Sequence, residues 1–224
     1  MISQTVSVPA DVVTLAGDLD VPESPRAAAL CAYGVDSSRQ SPRSRTVAAE
    51  LRTAGIGTLS LDLLSEREDP SAVRTDAQRY DVGLLGRRVV AAVDWLKAQP
   101  ETRGLPVVLL AAGIESAAVL RAAAELPDQV LTAVVWGGRP DLAGEELRRV
   151  RVPVLIIAGG RDEGLLRANQ RAAQSLAAPH SVRVVAGATH LFAEPGVLEQ
   201  ALDMAKEWCD DRLGGHGPSG DGGR

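Results

Sequence analysis

The fold is decided by the stretch Val107-Val108-Leu109-Leu110-Ala111-Ala112-Gly113-Ile114-Glu115-Ser116. The run from Val107 to Ala111 is continuously apolar, which is typical of a strand that is buried on both faces of a parallel sheet. A helical pattern from Ile114 to Glu125 follows without a long loop. The stretch therefore predicts a buried strand that turns sharply into a helix.

The same alternation of strands and helices extends over most of the chain. The N-terminal segments Thr5 to Val8 and Val12 to Val21 alternate apolar and polar residues, which predicts an antiparallel hairpin. Further strands are predicted at 27–32, 56–61, 131–136, 152–158 and 181–185, and further helices at 44–54, 76–98, 165–176 and 194–213, with a loop at 65–75. We therefore expect an α/β fold: a mostly parallel sheet of about eight strands, with helices on both faces.

Composition limits the classes of protein to which the chain can belong. Its 224 residues suit one domain, predicted at 1–213, followed by a Gly-rich tail at 214–224 that we expect to be disordered. The net charge of −5 argues against a nucleic-acid partner. Two cysteines, Cys31 and Cys209, make no disulfide framework. Without a signal-peptide pattern or a long apolar run, we expect a cytoplasmic protein without membrane contact.

Two motifs follow the last two predicted strands. Gly159-Gly160-Arg161-Asp162 comes after the strand at 152–158, and Gly187-Ala188-Thr189-His190-Leu191-Phe192 comes after the strand at 181–185. With the turn at 111–115, they give the order turn, acid, histidine. This order resembles that of the α/β-hydrolase fold, in which the nucleophile, acid and histidine follow one another along the chain.

Over residues 5–213 the chain is most similar to the small dienelactone-hydrolase-like group, which lacks a lid domain. Further segments carry this resemblance: 37–43 (SSRQSPR), 62–64 (DLL), 79–85 (RYDVGLL), 94–96 (DWL) and 137–144 (GGRPDLAG). The resemblance implies an ester or lactone hydrolase with a small-molecule substrate and no cofactor.

Two departures from the family's pattern bear on the chemistry. The resemblance places serine or cysteine at position 113, where this chain has Gly113, and a small residue where it has Glu115. It also places His-Gly where the chain has Tyr33-Gly34. Glycine tolerates the strained turn but forms no acyl-enzyme, so the nucleophile position is degenerate. An engineered serine-to-glycine change is an alternative to natural divergence, although several departures together favour divergence.

Backbone donors of an oxyanion hole do not need the missing side chain. The N–H of Ile114 could still contribute to such a site, together with the segment Tyr33-Gly34-Val35. The alternative that Ser116 is the nucleophile would put it inside the first helical turn, away from the exposed apex. We therefore expect Gly113 to occupy the elbow.

The resemblance makes His190 and Asp162 the candidate catalytic pair. Asp162 would orient the imidazole ring of His190 and stabilise its charged form. Alternatively, His190 is structural and Asp162 caps the following helix, which follows a Gly-Gly turn. The two roles of Asp162 are compatible with each other.

Three nearby side chains have two interpretations each. Glu115 either interacts with the dipole of the following helix, which we favour, or reaches the vacated space as an acid or base. Tyr33 either fills space or donates a hydrogen bond to a substrate oxygen. Trp136, at the end of a strand, is either an apolar wall of a binding site or part of the packing. For Arg39, Arg43 and Arg139 we favour pairing with loop carboxylates (Asp62, Asp81 or Asp141) over substrate binding.

Three functions remain open at this point. The first is a serine-less enzyme in which the His190–Asp162 dyad is a general base for isomerisation, epimerisation, cyclisation or elimination of a small carbonyl compound, a natural product being one fitting class. The second is an ester or lactone hydrolase with His-activated water. The third is a non-catalytic binding or scaffold protein. The histidines lack metal-ligand spacing, so no metal is expected, and a homodimer is compatible with the sequence.

Overall fold

The computed structural model describes residues 1–34, 37–65, 68 and 81–215. Within these residues, eight strands form one sheet in the order β1-β2-β4-β3-β5-β6-β7-β8. The strands are β1 (Ile2–Ala10), β2 (Val13–Val21), β3 (Ala27–Tyr33), β4 (Ile56–Asp62), β5 (Val107–Ala112), β6 (Val130–Trp136), β7 (Val154–Gly159) and β8 (His180–Val185).

The sheet is parallel except at its N-terminal edge. Strands β1 and β2 form an antiparallel hairpin, and β2 pairs antiparallel with β4. All pairings among β3 to β8 are parallel. The predicted fold class, a mostly parallel sheet with an antiparallel N-terminal hairpin, is therefore confirmed.

Helices cover both faces of the sheet. They are α1 (Pro42–Thr53), α2 (Val82–Ala98), α3 (Glu115–Glu125), α4 (Glu163–Ser175) and α5 (Val197–Gly214), with a 3₁₀ segment at Pro140–Arg149. Apolar residues of α2, α3 and α4 pack on one face, and those of α1 and α5 pack on the other. Because successive strand residues point to opposite faces, Leu30 belongs to the first core and Cys31 to the second.

Several boundaries differ from the expected ones. Helix α2 begins at Val82, because the Asp81 carboxylate accepts a hydrogen bond from the N–H of Leu84 and caps it. The expected start at residue 76 and most of the expected loop at 65–75 lie outside the described residues. Helix α5 reaches Gly214, one residue into the expected tail, and residues 216–224 are outside the description. Among the described residues, no helix combines the length and apolar character that a membrane crossing requires.

The strand order creates a crevice at the carboxyl edge of the sheet. From β3 the chain passes to β4 on one side, and from β4 it returns to β5 on the other side of β3. In open α/β sheets, ligands bind at such a reversal, outside the carboxyl ends of the strands. Tyr33 ends β3 and Ala112 ends β5, so the segments Tyr33-Gly34 and Gly113-Ile114 flank this point.

Candidate active site

The turn between β5 and α3 has the geometry expected of an elbow. Gly113 has φ 61°, in the left-handed region that favours glycine. Ile114 occupies the N-cap position of α3, and Glu115 is the first residue of that helix. The carbonyl of Gly113 accepts a hydrogen bond from the N–H of Arg139, at 3.0 Å, which ties the turn to the segment that follows β6.

The space beside Gly113 contains the carboxylate of Glu115. A Cβ built on Gly113 would lie 3.1 Å from Oε2 of Glu115, and a Cβ built on Gly34 would lie only 2.1 Å from its Oε1. Glu115 is 3% exposed although it lies in the first turn of α3. The favoured dipole interpretation is compatible with this position. The carboxylate nevertheless reaches between Gly34 and the elbow, as the alternative interpretation, an acid or base in the vacated space, requires.

Asp162 and His190 are brought together by the loops after β7 and β8. Oδ2 of Asp162 accepts a hydrogen bond from the backbone N–H of His190 at 2.8 Å and lies 2.5 Å from Nδ1 of its ring. The bond from the backbone N–H, followed by that from the ring, lowers the pKa of Asp162. With Nδ1 donating to the carboxylate, Nε2 is the nitrogen left to accept a proton.

The alternative in which the Asp162 side chain caps α4 by a hydrogen bond is wrong. Asp162 does occupy the N-cap position of α4, but its side chain makes no capping bond. The carboxylate instead turns to His190. The side chain of His190 is 49% exposed, so the ring is held by Asp162 and remains open to a ligand.

A pair of glycines after β6 lets the elbow and the histidine loop approach each other. A Cβ on Gly137 would lie 2.1 Å from the carbonyl oxygen of His190, and one on Gly138 would lie 2.0 Å from Oγ of Ser116. Of the described atoms outside the adjacent residues, Oε2 of Glu115 alone lies within 4 Å of the Cβ position at Gly113. No atom of the His190 ring therefore lies within 4 Å of the Cβ position at the elbow.

The alternative nucleophile, Ser116, is sealed in the interior. Its residue is 0% exposed, and its hydroxyl lies beneath Gly138 without a hydrogen-bond partner among the described residues. A hydroxyl in this position cannot meet a substrate without a rearrangement of the turn after β6. The geometry thus favours Gly113 as the elbow residue.

Tyr33 and Trp136 line a cavity of about 330 Å³ on the α1 face, next to the elbow. Burial raises the pKa of Tyr33 well above its ordinary value, so its hydroxyl stays protonated and can donate. Trp136 is 6% exposed, and its indole nitrogen has no partner among the described residues. Val35, the last expected member of the oxyanion segment, lies outside the described residues.

The three loop arginines divide into two kinds. Arg39 forms ion pairs with Asp62 and Asp18, and Arg139 pairs with Asp141, as expected. Arg43 instead donates to the carbonyls of Leu191 and Phe192, next to His190. The expected pairing with a carboxylate is therefore not seen for Arg43 among the described residues.

Two of these relationships were missed by the sequence interpretation. The approach of Glu115 to Gly34 had a signal, because a glycine at a strand end often admits a close neighbour. The link from Arg43 to Leu191 joins residues 148 positions apart and had no local signal. In the described part of the chain, His, Cys, Asp and Glu side chains form no group of three suited to a metal ion.

Comparison with known proteins places this geometry in a family. The model of the dienelactone hydrolase family matches residues 44–209. A crystal structure of a dienelactone hydrolase from Anabaena variabilis is 41% identical, with a TM-score of 0.88, covering 92% of this chain and 96% of that one. The esterase Est1E from Butyrivibrio proteoclasticus, at 15% identity and a TM-score of 0.78 over 94% of this chain and 99% of that one, shares the fold.

Curated relatives are longer than this chain. Two Mycobacterium tuberculosis proteins, from strains CDC 1551 and H37Rv, are 45% identical over 217 residues, which is 97% of this chain. Each carries the name "Putative phosphoribosyl transferase". The chain spans 48% of their length, about half.

Proposed function

Because the chain belongs to the dienelactone hydrolase family and carries Gly113 at its elbow, we propose that it is a serine-less enzyme of non-hydrolytic proton-transfer chemistry. In this proposal the His190–Asp162 dyad is a general base that acts on a small carbonyl compound. Isomerisation, epimerisation, cyclisation and elimination all begin with such a step. The observation that carries the proposal is the half-exposed His190 ring, held by Asp162 through two hydrogen bonds.

The proton transfer follows from the orientation of the ring. Nε2 of His190 takes a proton from the carbon beside the carbonyl, so a C–H bond breaks, an N–H bond forms and the electron pair moves into an enolate. Return of the proton to the same carbon or to its conjugated position gives an epimer or an isomer. A positioned base of this kind contributes about 10²- to 10⁴-fold, and Asp162 stabilises the imidazolium that forms.

The position of Glu115 places a carboxyl group where negative charge develops on a substrate oxygen. Attack of water on an ester builds negative charge on the carbonyl oxygen, and a hydrolase stabilises it with donors at the elbow and the β3 loop. Here the Glu115 carboxylate lies between Gly34 and Gly113, the two segments that carry those donors. A protonated carboxyl group at this place could donate its proton to the enolate oxygen that the proposed proton abstraction creates.

One probe separates the alternatives. The lactone α-angelica lactone either moves its double bond by proton transfer or opens with water to 4-oxopentanoate, and proton NMR in D₂O distinguishes the products. We expect the conjugated lactone, with deuterium incorporated, at a rate that falls by about 10²- to 10⁴-fold in His190→Ala. His180→Ala is the matched control, because His180 is exposed at the opposite end of β8.

The other outcomes assign the other functions. Formation of 4-oxopentanoate that is lost in His190→Ala would establish hydrolysis by activated water and overturn the proposal. Neither product, together with no deuterium exchange in a panel of small ketones and lactones, would favour a binding or scaffold protein. A fluorophosphonate should label no residue, since the proposal has no nucleophilic serine.

A further inference from the structure

The cavity of about 330 Å³ beside the elbow, named here the α1 cavity, lies where α1 begins and β3, β5 and β6 end. Its apolar walls include Cys31, Val47, Leu110, Ala112 and Trp136. Its volume is at the small end of the range of ligand pockets in proteins. A cavity of this composition suits a small ligand with an apolar body.

Arg43 is the charged side chain among the described lining residues, and none of those residues is acidic. Its guanidinium donates to the carbonyls of Leu191 and Phe192, and burial lowers its pKa. No carboxylate of the described residues lies within ion-pair distance of it, in contrast to Arg39 and Arg139. Within the described residues, the positive charge at the α1 cavity is thus bound by two carbonyl dipoles and is not paired with a carboxylate.

A partly buried charge without a counter-charge is costly, and an anion that joins it recovers much of that cost. The guanidinium has five N–H donors, so bonds to two carbonyls leave donors for a ligand. The hydroxyls of Ser37, Ser38 and Ser41 add polar groups at the same side. Arg43 also lies in the first turn of α1, where the helix dipole favours negative charge.

We propose that the α1 cavity binds a small apolar carboxylate, with its carboxylate on Arg43 and its body between Leu110 and Trp136. The buried indole N–H of Trp136, which has no partner among the described residues, is a further donor that such a ligand can satisfy. The inference rests on the proposed function in one respect: it names an apolar carboxylate as the substrate class of that site. The bond from Arg43 to the carbonyl of Leu191 connects the proposed anion site to the loop that carries His190.

Benzoate and benzamide form a matched pair of probes, because they differ in charge and hardly in shape. Isothermal titration calorimetry with the full chain should show one benzoate site and at least tenfold weaker binding of benzamide. Arg43→Gln should weaken benzoate binding about ten- to hundredfold, the range for a hydrogen bond to a charged group. Arg45→Gln, on the exposed side of the same helix, should leave it unchanged.

A cavity-filling variant makes the test independent of Arg43. Val47→Phe places a larger side chain in the wall of the α1 cavity and should abolish benzoate binding while the circular dichroism spectrum is retained. Equal binding of benzoate and benzamide, no binding of benzoate at 10 mM, or equal losses in Arg43→Gln and Arg45→Gln would each overturn the inference.

Failure of this inference and failure of the proposed function are distinguishable. Binding is expected to persist in His190→Ala, because the ring is not part of the anion site. Benzoate binding in both proteins, without proton transfer in the wild type, would leave the α1 cavity assignment standing and the catalytic proposal refuted.

Discussion

The carboxylate of Glu115 lies against Gly34 so closely that a methyl group on that glycine would stand 2.1 Å from Oε1. The contact joins the start of α3 to the end of β3 across the reversal point of the sheet. A small residue at position 115 would leave this space open. The contact therefore makes the elbow of this chain different from a serine elbow at two positions, not one.

Restoring serine alone should not restore a hydrolase. Gly113→Ser puts Cβ 3.1 Å from Oε2 of Glu115 and strains a backbone at φ 61° by about 1–3 kcal/mol. We expect no labelling by fluorophosphonate and no turnover of p-nitrophenyl acetate. Gly113→Ser combined with Glu115→Gly should be labelled, because the carboxylate no longer occupies the space beside the elbow.

The single variant Glu115→Gly is the control for this experiment and should be neither labelled nor active. Stoichiometric labelling of Gly113→Ser alone would show that Glu115 does not obstruct acyl-enzyme chemistry. The interpretation of Glu115 as an obstacle would then be wrong.

The pair Asp162 and His190 should make stability depend on pH in the acid range. The pKa of Asp162 is lower in the folded chain than the ordinary value of about 3.9. Its contribution is therefore present above that value and is lost as the pH falls through the lowered pKa. In urea unfolding, the stability difference between wild type and Asp162→Asn should shrink as the pH falls from about 5 to 3.

Asp128→Asn, in an exposed turn, is the matched control and should show no such trend. A difference that stays constant down to pH 3 would mean that the carboxylate of Asp162 is not stabilised by His190 in solution.

Removal of Glu68 should destabilise the chain by leaving a buried guanidinium short of an acceptor. Arg88 is 3% exposed and donates to Glu68 at 2.8 Å and to the carbonyl of Leu63 at 2.6 Å. The hydrogen bond from Arg88 lowers the pKa of Glu68 to about 2. Burial opposes this shift, and hydrogen bonds from Ser65 add to it. Glu68→Ala should cost about 1–3 kcal/mol at pH 7, measured by urea unfolding.

The pKa of Glu68 is lower in the folded chain than in the unfolded chain. The loss of unfolding free energy in Glu68→Ala should therefore be complete above about pH 5 and should fade as the pH approaches 2. Glu145→Ala, which removes an exposed partner of Arg148, should change stability by less than about 0.5 kcal/mol. Equal losses in the two variants would contradict the role assigned to burial.

Thr132 should anchor α5 to the sheet. Its hydroxyl accepts a hydrogen bond from the indole N–H of Trp208 at 2.8 Å and donates to the carbonyl of Pro153 at 2.7 Å. Thr132→Val keeps the shape but leaves the buried N–H of Trp208 unpaired, at a cost of about 1–3 kcal/mol. Thr46→Val, at an exposed site of α1, should change the unfolding free energy by less than about 0.5 kcal/mol.

Most of the fold could be predicted from local patterns. The apolar runs at 27–32 and 107–111 became strands β3 and β5, because a strand buried on both faces needs no polar residue. The cap at Asp81, after which α2 begins at Val82, was not revealed by the apolar period alone. The start of such a helix depends on a single capping hydrogen bond, which the spacing of apolar residues along the sequence does not reveal.

For the candidate site, the sequence determined the parts. The glycine at 113, the acid at 162 and the histidine at 190 were identified from motifs, because each lies in a turn whose local pattern is distinctive. Their catalytic roles stay predictions. Their proximity also followed from topology, since the carboxyl ends of parallel strands share one edge of the sheet.

Only the tertiary structure decided where the long side chains point. Glu115 turns to Gly34, Arg43 turns to Leu191, and Asp162 turns to His190 instead of capping its helix. Each of these choices depends on a partner distant in sequence, brought near because the carboxyl ends of the parallel strands meet at one edge of the sheet. A side chain chooses among its rotamers by the partners within reach, and those partners exist only after the sheet has formed.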